Sequence, residues 1–98
     1  MKALGFLEVP SVTAAVNALD AMCKTADVEF VTWERKLGGR LVTIIIQGDV
    51  AAVTEAIDNA YATALKPPCA KLVIPNPHEE TWKMVKLSAS RMEKTRNK

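Results

Sequence analysis

Few side chains of this chain have both the type and the spacing that chemistry requires. His78 is the only histidine among the 98 residues, and no cysteine lies near it in the sequence. A metal site needs several such ligands, so His78 predicts the start of a helix or a contact, not a metal site. The next residues, Glu79 and Glu80, fall in the first turn of a predicted helix, where the macrodipole favours negative charge. No serine lies in a nucleophile motif, and we therefore expect neither an active site nor a cofactor.

Composition narrows the function further. The net charge of +2 is too small for a nucleic-acid binder, and the basic stretch 91–98 is expected to be a frayed tail. Cys23 and Cys69 are the only two cysteines and lie far apart among apolar neighbours, so they fit neither a disulfide framework nor a metal-ligand spacing, and a reducing cytosol is expected. The sequence shows no signal peptide and no apolar run long enough to span a membrane. The expected protein is soluble and not exported.

A glycine-rich basic loop is the most suggestive segment of the chain. It contains, in order, Lys36, Leu37, Gly38, Gly39 and Arg40. It precedes a strand and lacks the Lys-Ser/Thr of a phosphate-binding loop, so its simplest interpretation is a solvated hairpin turn. If the chain formed a closed ring, the same loop repeated around the axis would make an opening that prefers anions.

The elements that must position these residues follow from apolar periodicity. Residues 3–9 predict a strand that Pro10 ends, and Ser11 then caps a helix. The apolar stripe predicted for this helix consists of Val12, Ala15, Val16, Leu19, Met22 and Cys23. Residues 28–33 and 41–47 predict a hairpin, and the second strand is apolar at nearly every position, which indicates that both of its faces are covered.

The second half of the chain predicts a helix, a strand and a further helix. Asp49 caps the helix, whose apolar face includes Tyr61; residues 71–74 form the last strand, and a final helix begins near residue 79 with Trp82 and Val85 on its apolar side. The order β-α-β-β-α-β-α predicts an α+β, ferredoxin-like (split βαβ) fold. Its four-stranded antiparallel sheet carries two helices on one face, plus a C-terminal helix. We expect a single domain over residues 1–90 and a tail over 91–98.

Five segments together resemble the shell-protein (BMC) domain of bacterial microcompartments. They are the Ala-Leu-Gly opening at residues 3–5, the helix at 18–24, the glycine-rich loop, the stretch at 42–50, and Ile-Pro-Asn-Pro-His at 74–78. The resemblance implies the BMC fold and a structural, non-enzymatic shell protein. Such proteins form cyclic hexamers that tile into a shell in the bacterial cytoplasm, around enzymes they enclose, and carry a central pore for small metabolites.

The resemblance also implies site residues and partners. Residues 36–40 align with the pore rim, and an arginine there favours anionic metabolites. Lys24 aligns with the edge lysine that packs against its counterpart on a neighbouring hexamer, with Asn76 and His78 at the same edge. The family often has an arginine where Asn76 stands. The implied partners are identical subunits and other shell proteins, with the enclosed enzymes as indirect partners, and neither nucleic acid nor membrane.

Two other functions of the same fold class stay open at this point. A small-molecule sensor would bind an anionic ligand at residues 38–40 and pass the signal to a partner domain. An RNA-binding domain would need aromatic side chains on one exposed sheet face. Phe30 and Trp33 are three residues apart in one strand, so we expect them on opposite faces, which argues against RNA binding.

Overall fold

The computed structural model describes residues 2–25, 27–35, 41–64, 68–79 and 81–87. The elements are β1 (Lys2–Val9), α1 (Val12–Thr25), β2 (Glu29–Arg35), β3 (Val42–Asp49), α2 (Val50–Thr63) and β4 (Ala70–Pro75). Residue 79 and residues 81–87 are also helical, and we call them the C-terminal helix. The predicted order of elements is confirmed. Among the described residues, no helix has the length and apolar character to cross a membrane.

The four strands form one antiparallel sheet in the order β2-β3-β1-β4. This is the predicted split βαβ arrangement, in which the first and third strands lie at the centre. In β1, Lys2 pairs with Asp49 at one end of the sheet and Val9 pairs with Val42 at the other. We call these the Lys2 end and the Val9 end.

Helices α1 and α2 cover one face of the sheet and bury the main core. The strands contribute alternate residues to this core, including Leu7, Val9, Val42, Ile44 and Ile46. Small aliphatic side chains dominate it, as the low aromatic content predicts. Gly5 lies on this face beneath α2, where a Cβ atom would contact Val53.

The C-terminal helix covers part of the opposite face, which we call the open face. Val85 is buried there against Leu4 and Ile45, and Trp82 packs against the same cluster. Ile45 is therefore 5% exposed although its neighbours Ile44 and Ile46 face α1 and α2. The prediction that the strand at residues 41–47 is covered on both faces is confirmed.

Both helices present different faces from those that the apolar pattern predicts. The buried side of α1 consists of Ala14, Ala15, Ala18 and Met22. Val16 is 58% exposed and Cys23 is also exposed, so the prediction that both lie in the buried stripe is wrong. Alanines allow a helix to approach a sheet closely, and this shifts the contact away from the larger Val16.

In α2, Tyr61 is exposed and not part of the core, contrary to the prediction, and the Lys71 ammonium lies 4.7 Å from the centre of its ring.

Of the two predicted helix caps, one forms a capping hydrogen bond and the other does not. The Ser11 hydroxyl accepts a hydrogen bond from the Ala14 N–H at 3.1 Å, which confirms the first cap. Asp49 occupies the N-cap position of α2 with an extended backbone, but its side chain makes no capping hydrogen bond.

A β-bulge in β2 overturns the expected orientation of its aromatic residues. Phe30 pairs with Ile46 and Trp33 pairs with Ile44, and the register shifts between Phe30 and Thr32. The extra residue restores Trp33 to the face of Phe30, and both pack on the core under the helices. The prediction of opposite faces is wrong, yet neither ring lies on the open face, where bases would have to stack.

Candidate functional site

The predicted edge residues lie together at the Lys2 end of the sheet. The chain leaves α1 at this end. The Asp27 carbonyl oxygen lies close to Gly48 of β3, since a Cβ built on Gly48 would be 3.2 Å from it. Lys24 is in the last turn of α1. Asn76 directly follows Pro75, which pairs with Ala3. The topology therefore brings Lys24 and the residues after β4 to one end of the molecule.

Lys24 is exposed and makes only a weak contact within the chain. Its side chain is 75% exposed, and its ammonium lies 2.9 Å from the Asp20 carboxylate one helical turn earlier. An exposed pair at this spacing contributes only about 0.3–0.5 kcal/mol to helix stability. Lys24 therefore matters little for the fold, and its stem and charge can serve a contact outside the subunit.

Asn76 has a backbone conformation that the sequence motifs did not predict. Its φ is 54°, the only positive value among the described non-glycine residues. Asparagine adopts this left-handed conformation more readily than most residues with a Cβ atom. The backbone conformation at this position therefore favours asparagine. The side chain of asparagine does not carry the positive charge that arginine would supply. The signal in the sequence was the turn-forming Pro-Asn-Pro.

His78 is exposed and stands at the start of the C-terminal helix. Its carbonyl oxygen accepts a hydrogen bond from the Trp82 N–H at 3.2 Å, which confirms the predicted helix start. The described residues include no group of three or more histidine, cysteine or acidic side chains that could hold a metal ion.

The predicted pore residues, Lys36, Leu37, Gly38, Gly39 and Arg40, lie outside the described residues, as does the tail at 91–98. The flanking strands are described. Arg35 pairs with Val42, which also pairs with Val9. The residues on either side of segment 36–40 thus lie at the Val9 end, opposite the end that carries Lys24 and Asn76.

Two features of the surface were not predicted from the sequence. Cys23 and Cys69 are free and exposed, although Cys23 was predicted in the buried stripe of its helix. A cleft on the open face is lined by Lys2 and Gln47 from the sheet and by Glu79, Trp82 and Lys86 from the C-terminal helix. No local motif could reveal this cleft, because it joins the two ends of the described chain.

Comparison with known proteins identifies the family. The model of the BMC domain matches residues 3–77. The chain is 44% identical over 86 residues to the bacterial microcompartment shell protein PduA of Citrobacter freundii, covering 86% of this chain and 91% of that protein. It is 38% identical over 81 residues to the carboxysome shell protein CcmK2 of Synechococcus elongatus, covering 79% of this chain and 78% of that one.

A solved structure agrees with these sequence matches. The crystal structure of a microcompartment protein from Desulfitobacterium hafniense superposes with a TM-score of 0.78 and 26% identity. The match covers 90% of this chain and 48% of that one, so this chain spans about half the length of the solved protein. The family model covers most of the chain, and the PduA relative is similar over nearly its whole length. The chain therefore belongs to the BMC-domain family of microcompartment shell proteins.

Proposed function

We propose that this protein is a structural, non-enzymatic subunit of a bacterial microcompartment shell in the cytoplasm. It forms cyclic hexamers with copies of itself, and these tile with each other and with other shell proteins around enclosed enzymes. The names of the relatives support this role, since PduA, EutM and CcmK2 are all described as shell proteins.

The single observation that best supports the proposal is the separation of the two candidate sites. Lys24 and Asn76 lie at the Lys2 end, whereas the strand residues that flank the segment 36–40 lie at the Val9 end. A ring subunit needs this polarity, because one end must reach the axis and the other the perimeter. We assign the Val9 end to the axis and the Lys2 end to the outer edge, with Lys24, Asn76 and His78 in the contact between rings.

The charge of the segment 36–40 determines what the opening would admit. Lys36 and Arg40 are cationic, and the segment has no acidic residue. In a sixfold ring these charges repeat around a narrow opening and raise the local concentration of anions. The proposed pore therefore favours small anionic or polar metabolites over cations.

Cysteine cross-linking tests both assignments in one experiment. Cys23 and Cys69 are first replaced by serine, which the exposure of both thiols allows. Arg40→Cys and His78→Cys are then introduced separately, and oxidation is followed by denaturing electrophoresis without reductant. We expect covalent dimers from both variants, because Arg40 would face its neighbours within a ring and His78 its neighbours across the edge.

Adding Lys24→Asp to each variant separates the two kinds of contact. Dimers through Arg40→Cys should persist, because the ring remains, whereas dimers through His78→Cys should disappear with the contacts between rings. Asp58→Cys, exposed on α2 away from both sites, is the control for random collision. Equal cross-linking of all three variants, or a loss of Arg40→Cys dimers with Lys24→Asp, would contradict the assignment.

A further inference from the structure

The cleft on the open face has the size of a small-molecule site. Its volume is about 590 Å³, within the range of about 300–1,000 Å³ that ligand pockets occupy. Its floor is the Lys2 end of the sheet, where Lys2 and Gln47 share a face with Leu4. Its wall is the C-terminal helix, whose Glu79, Trp82 and Lys86 recur at helical spacing and so share one side. We call it the open-face cleft.

Two donors in the open-face cleft have no partner within the part of the chain that the structure describes. They are the Lys86 ammonium and the indole N–H of Trp82. The indole ring itself is held in place, because it packs against the cluster of Leu4, Ile45 and Val85. A fixed aromatic ring beside an unpaired ammonium presents both a flat apolar surface and a positive charge.

The acidic groups around the open-face cleft already have cationic neighbours. Glu79 lies 3.8 Å from Lys83, and Glu29 lies 4.0 Å from Lys2. Glu29 also accepts a hydrogen bond from the Gln47 amide at 3.3 Å. With Lys86 included, these side chains carry three positive charges and two negative ones. The cleft is therefore suited to one negative charge on a ligand.

We propose that the open-face cleft binds a small organic carboxylate that carries a flat apolar group. The carboxylate lies between Lys86 and Lys2. It can accept hydrogen bonds from both ammonium groups, and such charge-assisted hydrogen bonds are stronger than those between neutral groups. The flat group packs against Trp82, as aromatic and apolar groups do in an offset arrangement. This site needs only one subunit, so it does not depend on the ring or on the pore segment.

Fluorine NMR of para-fluorobenzoate tests the proposal on the whole protein, because line broadening reports binding even to large assemblies. We expect broadening that unlabelled benzoate reverses, and much less broadening of the neutral para-fluorobenzyl alcohol. Lys86→Gln should weaken the affinity about five- to tenfold, since it removes one charge-assisted contact. The matched control is Lys71→Gln, which removes the same charge on the other sheet face, because Lys71 pairs with Leu7 of the main core.

Two further variants exclude other origins of the signal. Arg40→Gln should leave the broadening unchanged, because the strand residues that flank segment 36–40 lie at the Val9 end and the cleft lies at the Lys2 end. In Trp33→Phe, Trp82 is the only tryptophan left, and its fluorescence should change on titration with para-fluorobenzoate. The proposal is overturned if the probe does not broaden, if Lys86→Gln and Lys71→Gln bind alike, or if Arg40→Gln abolishes the signal.

Discussion

We expect Lys24→Asp to abolish the association of rings while each ring stays intact. Two copies of Lys24 would meet across each contact between rings, and the substitution replaces two long stems by two short like charges. A loss of about 1.4 kcal/mol weakens one contact about tenfold. A hexamer has six such edges. Because a sheet is held together by many of these contacts at once, the losses of binding free energy at the separate contacts add up. Negative-stain electron microscopy of pelleted material should then show no sheets, tubes or shells.

The fold itself should tolerate this substitution. Lys24 is exposed, and within the described residues its one side-chain partner is Asp20, one turn away on the same helix. Lys83→Asp is a matched control, because Lys83 is also an exposed helical lysine one turn after an acidic partner, Glu79. Lys83→Asp should assemble like the parent protein. Unchanged sheets from Lys24→Asp, or equal loss from both variants, would rule out the edge role of Lys24.

We expect Gly5→Ala, which adds only one methyl group, to cause a large loss of folding stability. A Cβ at this position would lie 2.7 Å from Cγ1 of Val53, 3.0 Å from Cγ1 of Ile57 and 3.1 Å from Cγ1 of Ile46. Those neighbours are buried, so they have little room to move. Overpacking of this kind costs about 1–3 kcal/mol. We expect the melting temperature to fall by at least about 5 °C at fixed protein concentration.

A double-mutant cycle shows whether contact with α2 causes this loss. Val53→Ala removes the methyl group that the new Cβ would meet, although alone it leaves a cavity that also lowers stability. In Gly5→Ala/Val53→Ala the added methyl occupies part of that cavity. The double variant should be more stable than the sum of the two losses predicts, by about 1 kcal/mol. Strict additivity, or a Gly5→Ala variant as stable as the parent, would show that β1 and α2 are not in close contact here.

The parts of the fold that could be predicted from the sequence are those that local patterns determine. Proline and glycine positions delimited the strands, and the unbroken apolar run at residues 41–47 indicated a strand covered on both faces. Ile45, buried beneath Val85, confirms that interpretation. The order of elements then led to the split βαβ sheet, which the strand order confirms.

The errors arose where packing decides between similar patterns. Val16 and the alanines of α1 are all apolar, and only close approach to the sheet selects the alanines. The bulge in β2 adds one residue, and no glycine or proline in the strand indicates it. The sheet faces of Phe30 and Trp33 therefore could not be predicted from their spacing.

The candidate sites show the same limit. Lys24, Asn76 and His78 were found through ordered motifs that resemble a family, because each residue alone is an ordinary surface residue. That Lys24 and Asn76 lie at one end of the molecule depends on strand register, which the motifs do not contain. The open-face cleft left no trace in the sequence, since Lys2 and Lys86 come together only when the C-terminal helix packs on the sheet.

Light scattering of the purified protein at two salt concentrations tests the shell proposal most directly. Lys24→Asp is the form to measure, because its rings should not associate further. A closed hexamer has six times the 10.7 kDa of one chain, or about 64 kDa. We predict this mass at both salt concentrations. A stable monomer or dimer would contradict the ring and favour a sensor domain of the same fold.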